Sequence, residues 1–130
     1  MSVEHEVRAA ADALVADFGA GRVDAYFARM AEDAAFVIHT TPERLASRAA
    51  YRALWERWSA DDGFRVLACT SRDQEVQVLG DDAAVLAHDV TTRVATHDGE
   101  EELQERESIV FARRDGRWLV VHEHLSAAAG

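Results

Sequence analysis

The stretch Arg113-Arg114-Asp115-Gly116-Arg117-Trp118-Leu119-Val120-Val121-His122-Glu123-His124-Leu125-Ser126 reads as a hairpin. Asp115-Gly116 is a turn pair suited to a tight two-residue loop, because both residues tolerate positive φ. A run rich in β-branched and aromatic residues follows it. Working back, the same period of two recurs, so Phe64–Leu79, Ala83–Thr96, Glu102–Arg113 and Trp118–Ser126 are predicted strands. Their links are Gly80-Asp81-Asp82, His97-Asp98-Gly99-Glu100 and Arg114-Asp115-Gly116-Arg117. Such links are too short for crossover helices, so the four strands should form an antiparallel meander.

Ahead of Gly63 the period is mostly 3.6. Val3, Val7, Ala10, Leu14 and Phe18 form one helical stripe, with Ser2 as N-cap and Gly19 or Gly21 as the stop. A short second helix is expected over Asp24–Ala31, burying Phe27 and Met30. Ala34–Thr40 reads as a strand closed by Thr41-Pro42. A third helix runs from a Ser47 cap to about Ser59, carries Tyr51, Leu54, Trp55 and Trp58, and breaks at Asp61-Asp62-Gly63. The order helix, helix, strand, helix, four strands is an α+β layout, with helices on one face of a curved antiparallel sheet.

The chain has 130 residues, one domain's worth, which buries roughly 70% of the surface of its unfolded chain. A single domain is expected over residues 1–126, with Ala127–Gly130 as a frayed tail. No apolar run approaches the ~20 residues that span a bilayer. The opening Met-Ser-Val-Glu-His-Glu lacks the pattern of a secretory leader. Cys69 stands alone, so no internal disulfide can form, and a cytoplasmic location is the expectation. The net charge of −10 repels nucleic acid and anionic lipid, so neither is an expected partner.

The run from Arg113 to Ser126, with its Asp-Gly turn, Trp118 and His122-Glu123-His124-Leu125-Ser126 ending, resembles the last hairpin of SnoaL-like domains. It is also similar to the association domain of calcium/calmodulin-dependent kinases. Both belong to the nuclear transport factor two superfamily, and the element order matches over nearly the whole chain. The resemblance implies a cone: a bent sheet wrapped around a long helix, with an apolar pocket open at one end. It also implies a homodimer packed through the outer sheet face, and cofactor-free chemistry where there is chemistry at all. Members include isomerases, dehydratases and polyketide cyclases as well as non-catalytic modules, so the fold does not choose between them. The superfamily's steroid isomerases place a tyrosine and carboxylic acids inside the cone. Tyr26 and Tyr51 both fall on helices here, and that set does not map residue by residue.

Strict alternation along the last strand puts Leu119, Val121, Glu123 and Leu125 on one face and Trp118, Val120, His122, His124 and Ser126 on the other. The first face, apolar but for one carboxylate, is the expected lining of the cone. Glu107, Ile109 and Phe111 share a face of the preceding strand, and Leu86, His88 and Val90 share one of the strand before it. A carboxyl in that apolar setting has its charged form disfavoured and can serve as general base or acid. Glu123 is therefore the candidate catalytic group, with His88 or His39 as partner. The alternative is an ion pair of Glu123 with Arg106 or Arg117 at a rim. Tyr51, Trp55, Glu107, Ile109, Phe111 and Val121 are the candidate lining of a pocket for a small apolar or amphipathic molecule. His122 and His124 have a spacing that could hold a metal with Asp89 or His39, yet structural histidines explain them as well, and no metal or cofactor is assigned. The functional expectation is acid/base isomerisation, dehydration or cyclisation. The rival is a ligand-sensing or assembly module that docks through an outer face carrying Trp118, His122 and His124.

Overall fold

The computed structural model describes residues 2–128. Its elements are α1 (Val3–Gly19), α2 (Val23–Ala28), β1 (Met30–Ile38), α3 (Arg48–Asp62), β2 (Arg65–Val78), β3 (Ala83–Thr96), β4 (Gly99–Arg114) and β5 (Arg117–Ala127). Helix α1 starts where Ser2 Oγ accepts the His5 N–H at 3.1 Å, satisfying one of the orphan donors of the first turn. Helix α3 starts the same way, with Ser47 Oγ accepting from Ala50 N–H at 3.0 Å. It ends at Gly63, whose φ of 67° is the left-handed cap conformation.

The predicted meander is present: β2, β3, β4 and β5 pair antiparallel in sequence order. Asp115 and Gly116 both have positive φ, 53° and 76°, as the tight β4–β5 turn requires. Strand β1 adds a fifth member by pairing parallel with β5, a connection no local signal could announce. It also begins earlier than the alternation suggested. Met30, expected on the second helix, opens β1 opposite Val120 and is 1% exposed. Helix α2 accordingly stops at Ala28; burial against β5 outweighs the helical period of so short a segment.

The sheet is curved and unclosed, and the helices pack on its inner face. Val7, Phe27, Phe36, Leu86, Ile109, Phe111 and Val120 make up the sealed core. Helix α1 lies so close to β2 that a Cβ on Gly19 would sit 2.9 Å from the Cys69 backbone nitrogen. Over the helices, Phe18, Tyr26, Phe27, Tyr51, Trp55 and Phe64 form one aromatic cluster, mostly edge-to-face or tilted.

One expectation about β5 is corrected. Its pairing with β4 steps from Val110↔His122 to Phe111↔Val120, leaving Val121 as an extra residue in a bulge. The alternation reverses there, so Val120 rather than Val121 shares the inner side with Glu123. Trp118 is carried inward as well and packs against the core. At the C-terminus β5 runs through Ala127, and the Ala128 N–H donates to Gln104 O at 3.0 Å, so order extends past Ser126. The last two residues of the expected tail lie outside the described residues.

Asp17, 6% exposed at the end of α1, ties α1 to α2. Its Oδ1 accepts from Arg22 Nε at 2.8 Å and its Oδ2 from Arg29 Nε at 2.5 Å. The Arg29 hydrogen bond, then the Arg22 one, hold its carboxyl below the ordinary aspartate range. A depressed folded-state pKa adds stability above the unfolded value, which is lost as pH falls through the folded one. Asp17→Asn should therefore destabilise by about 1–2 kcal/mol at neutral pH, with the arginines partly screened by solvent. Urea denaturation should show that difference shrinking toward about pH 3; an equal deficit at both pH values would refute the pairing as its source.

Candidate functional site

The inner row of β4 reads Glu101, Leu103, Glu105, Glu107, Ile109, Phe111 from the mouth of the cone to its core, the consequence of period-two alternation. Across the ladder His88 of β3 faces Glu107, and Glu123 of β5 faces Ile109. Glu105, His88 and Glu123 are 6%, 3% and 4% exposed, an unusual depth for three titratable groups. Tyr26 from α2 and Tyr51 from α3 close the site from the helical side, with hydroxyls 3.0 Å apart.

The hydrogen bonds here have a single consistent direction. Gln74 Nε2 donates to Ser71 Oγ at 3.0 Å, which frees the serine proton for His88 Nδ1 at 2.6 Å. His88 Nε2 then donates to Glu107 Oε1 at 2.8 Å. The neutral Nε2–H form of His88 satisfies this chain, and burial pushes its pKa down, favouring that form. Glu107 and Glu123 hydrogen-bond to each other through their carboxyls, so one must carry a proton. Burial raises both. The neighbouring Glu107 charge raises Glu123 further, whereas the Glu123 bond holds Glu107 back, to about 7. Both carboxyls are thus held above the ordinary glutamate range, chiefly by burial, and titrate as a pair. The Tyr26 and Tyr51 hydroxyls are also raised, chiefly by burial, and stay protonated.

Two connected spaces meet this group. An inner cavity of about 50 Å³ touches Leu14, Phe18, Tyr26, Tyr51, Glu107 and Glu123. An outer one of about 310 Å³ shares Phe18, Ile38, Tyr51, Thr92, Glu105 and Leu125 with it and adds Trp55, Trp58 and Phe64. A wider hollow of about 530 Å³ lies on the outer sheet face beside Asp89, Arg106, Ser108 and His124. It is open, and His88 and Glu107 border it as well.

Most sequence-derived candidates meet here, though not pairwise as expected. Glu123 is inside, so the rim alternative is overturned: Arg106 lies 3.8 Å from Asp89, and Arg117 donates to Ala28 O at 3.3 Å. His88 reaches Glu123 only through Glu107. His39 is exposed at the end of β1 and bonds Glu105 Oε2 at 2.5 Å instead. Tyr51 lines both cavities, Glu107 the inner one and Trp55 the outer one. Ile109 and Phe111 lie on the expected face but in the sealed core beyond the cavity, and Val121 sits in the bulge outside it. The proposed outer-face trio also breaks up, since Trp118 turns inward under the Arg113 guanidinium, 5.5 Å from its ring. Among the described residues no three His, Cys, Asp or Glu side chains converge on a metal position. Sequence reasoning passed over Glu105, which the alternation through Glu107 could have shown. It also passed over Tyr26 and Ser71, for which no local signal existed.

Carboxyls whose folded-state pKa is raised contribute stability below their unfolded value, and it is lost as pH rises through the folded one. Wild-type stability should therefore decline between about pH 5 and pH 7 as the Glu107–Glu123 pair is forced to ionise. Glu123→Gln should flatten that slope, and 13C-detected titration should find one glutamate with its midpoint near 7. A flat wild-type profile would contradict the shared proton.

Residues 7–130 match the sequence profile of the SnoaL-like domain. Over 58 residues the chain is 38% identical to a calcium/calmodulin-dependent protein kinase type II of Caenorhabditis briggsae, a match covering 44% of this chain and 11% of the kinase. A Xanthomonas campestris structure described as a calcium/calmodulin dependent protein kinase II association domain superposes with a TM-score of 0.81 at 26% identity, covering 98% of this chain and 89% of that one. A nuclear transport factor two-like protein of Prochlorococcus marinus superposes with a TM-score of 0.80 at 17% identity, covering 100% and 96%. The cone, the hairpin that closes it and the profile match agree: the chain belongs to the SnoaL-like domain family.

Proposed function

We propose that the cone binds a small, largely apolar molecule and shifts a proton on it without a cofactor, as an isomerase, dehydratase or cyclase would. The observation that carries this reading is the Glu107–Glu123 pair at the inner end of an apolar cavity, beside two tyrosine hydroxyls. Two titratable groups whose environments separate their pKa values supply an acid and a base in one place. For a substrate with an acidic C–H next to a carbonyl, ionised Glu107 takes the proton from carbon. The electron pair moves onto the carbonyl oxygen, where protonated Glu123 or a tyrosine O–H donates a hydrogen bond. Glu107 then returns its proton to a different carbon, or Glu123 gives its proton to a leaving hydroxyl. His88, held by Ser71, fixes the orientation of Glu107 and keeps its acceptor oxygen toward the site. His39 has no part in this transfer.

The test is proton exchange in deuterium oxide, followed by NMR over a panel of cyclic ketones and enones. At least one should exchange faster than buffer allows, and Glu107→Gln should cut that rate by roughly 10²–10⁴-fold. Glu123→Gln, which keeps the shape, should also slow it. Exchange that survives both substitutions would sink the assignment.

A second reading, assembly, is favoured by the likeness to a protein described as an association domain. The outer sheet face carries the half-buried apolar residues Val85, Val110, Leu119 and Val121, suited to a second copy of the chain. Light scattering should then give a dimer, and Val110→Glu should shift it to monomer; a monomeric wild type would remove this reading.

A further inference from the structure

We infer that the cavity selects an organic cation, an apolar and preferably aromatic molecule bearing a protonated amine, and excludes carboxylates and phosphates. The inference rests on the cone being a binding site, as in the proposed function, and names the charge class of what it takes. All fourteen basic residues of the chain are arginine, and none of them touches either the inner or the outer cavity. The acids behave in the opposite way. Glu105, Glu107 and Glu123 line the inner space, and Asp62, Glu101 and Glu105 the outer one.

Asp62 and Glu101 both line the outer space at its solvent-exposed side. Asp62 ends α3, and Glu101 heads the inner row of β4. Neither has an arginine or histidine partner among the described residues, whereas Glu105 between them is held by His39. The same space is lined by Trp58 and Phe64, with ring centroids 5.4 Å apart, and by Trp55, 5.2 Å from Phe64. An ammonium group at that position gains from both carboxylates and from the aromatic rings. An anion of the same size would meet carboxylates of its own sign in a space that no guanidinium lines. The apolar body of the ligand then extends inward along Phe18, Ile38 and Leu125, and its far end reaches the tyrosines and the carboxyl pair.

Three probes of nearly equal size separate the possibilities: 2-phenylethylamine, 2-phenylethanol and 3-phenylpropanoate. Each is titrated into 15N-labelled protein, with affinity read from shifts of the Trp55 and Trp58 indole N–H signals. The amine should bind best and the carboxylate worst, the extremes differing by roughly tenfold or more at low salt. The combined substitution Asp62→Asn with Glu101→Gln should abolish the amine's advantage over the alcohol. Equal or tighter binding of the carboxylate overturns the inference. So does an amine advantage that survives the double substitution, and so does failure of all three probes to bind at about 10 mM, the weak limit for such small ligands. The readout is independent of the chemistry. Glu107→Gln and Glu123→Gln leave Asp62 and Glu101 in place, so charge preference persists in them even if proton exchange proves absent.

Discussion

The bulge at Val121 is the constraint on which the cone depends. In an unbroken strand, residues three apart face opposite sides of the sheet, yet Val120 and Glu123 are both buried on the inner side. The extra residue reconciles them. It lets β5 fill the core through Val120 and Trp118 at one end while aiming Glu123 and Leu125 into the cavity at the other. It sits in the strand flanked by both β1 and β4, so the change of facing is shared by the sheet's closing side. The β1 pairing is irregular at the same level, between Met30 and Ala35. Bulges also bend and twist a sheet, and β2 carries two more register shifts where it wraps α1.

Within that frame, the helices leave a space because their packing residues are aromatic and rigid. Phe18, Tyr26, Tyr51 and Trp55 meet one another edge-on or tilted over the sheet, and together they prop the helices apart above the carboxyls. A layer of leucines could have collapsed into the gap. Placing acids under such a roof is costly unless their charge is suppressed or shared. Here the cost is contained by one proton shared between Glu107 and Glu123 and by hydrogen bonds leading out through His88 and Ser71 to Gln74 at the edge strand. The arrangement has little value for stability, since apolar residues of similar volume would pack as well. Buried carboxyls at the inner end of a cavity are what single it out as a candidate site.

Much of this could be seen before any coordinates. Turn chemistry at Asp115-Gly116 and the long period-two runs disclosed the meander, and Ser2 and Ser47 marked helix starts that the structure keeps. Glu107, His88 and Glu123 were legible as inward-facing because their neighbours alternate with apolar residues. The partnership among them was not. A strand pattern reports facing, but the contact of His88 with Glu107 instead of Glu123 depends on which strands lie side by side and in what register.

The sequence by itself therefore determined the element order, the antiparallel meander and the set of acids turned inward, since these follow from local periodicity and turn preferences. Tertiary structure alone decided the parallel docking of β1 on β5, the bulge that exchanged Val121 for Val120, and the arrival of Tyr26 and Tyr51 above the carboxyl pair. Each of those joins residues far apart in the chain, and each is settled by competition for buried surface. A local pattern carries no information about that competition, because the surface in question exists only once the whole sheet has closed over its helices.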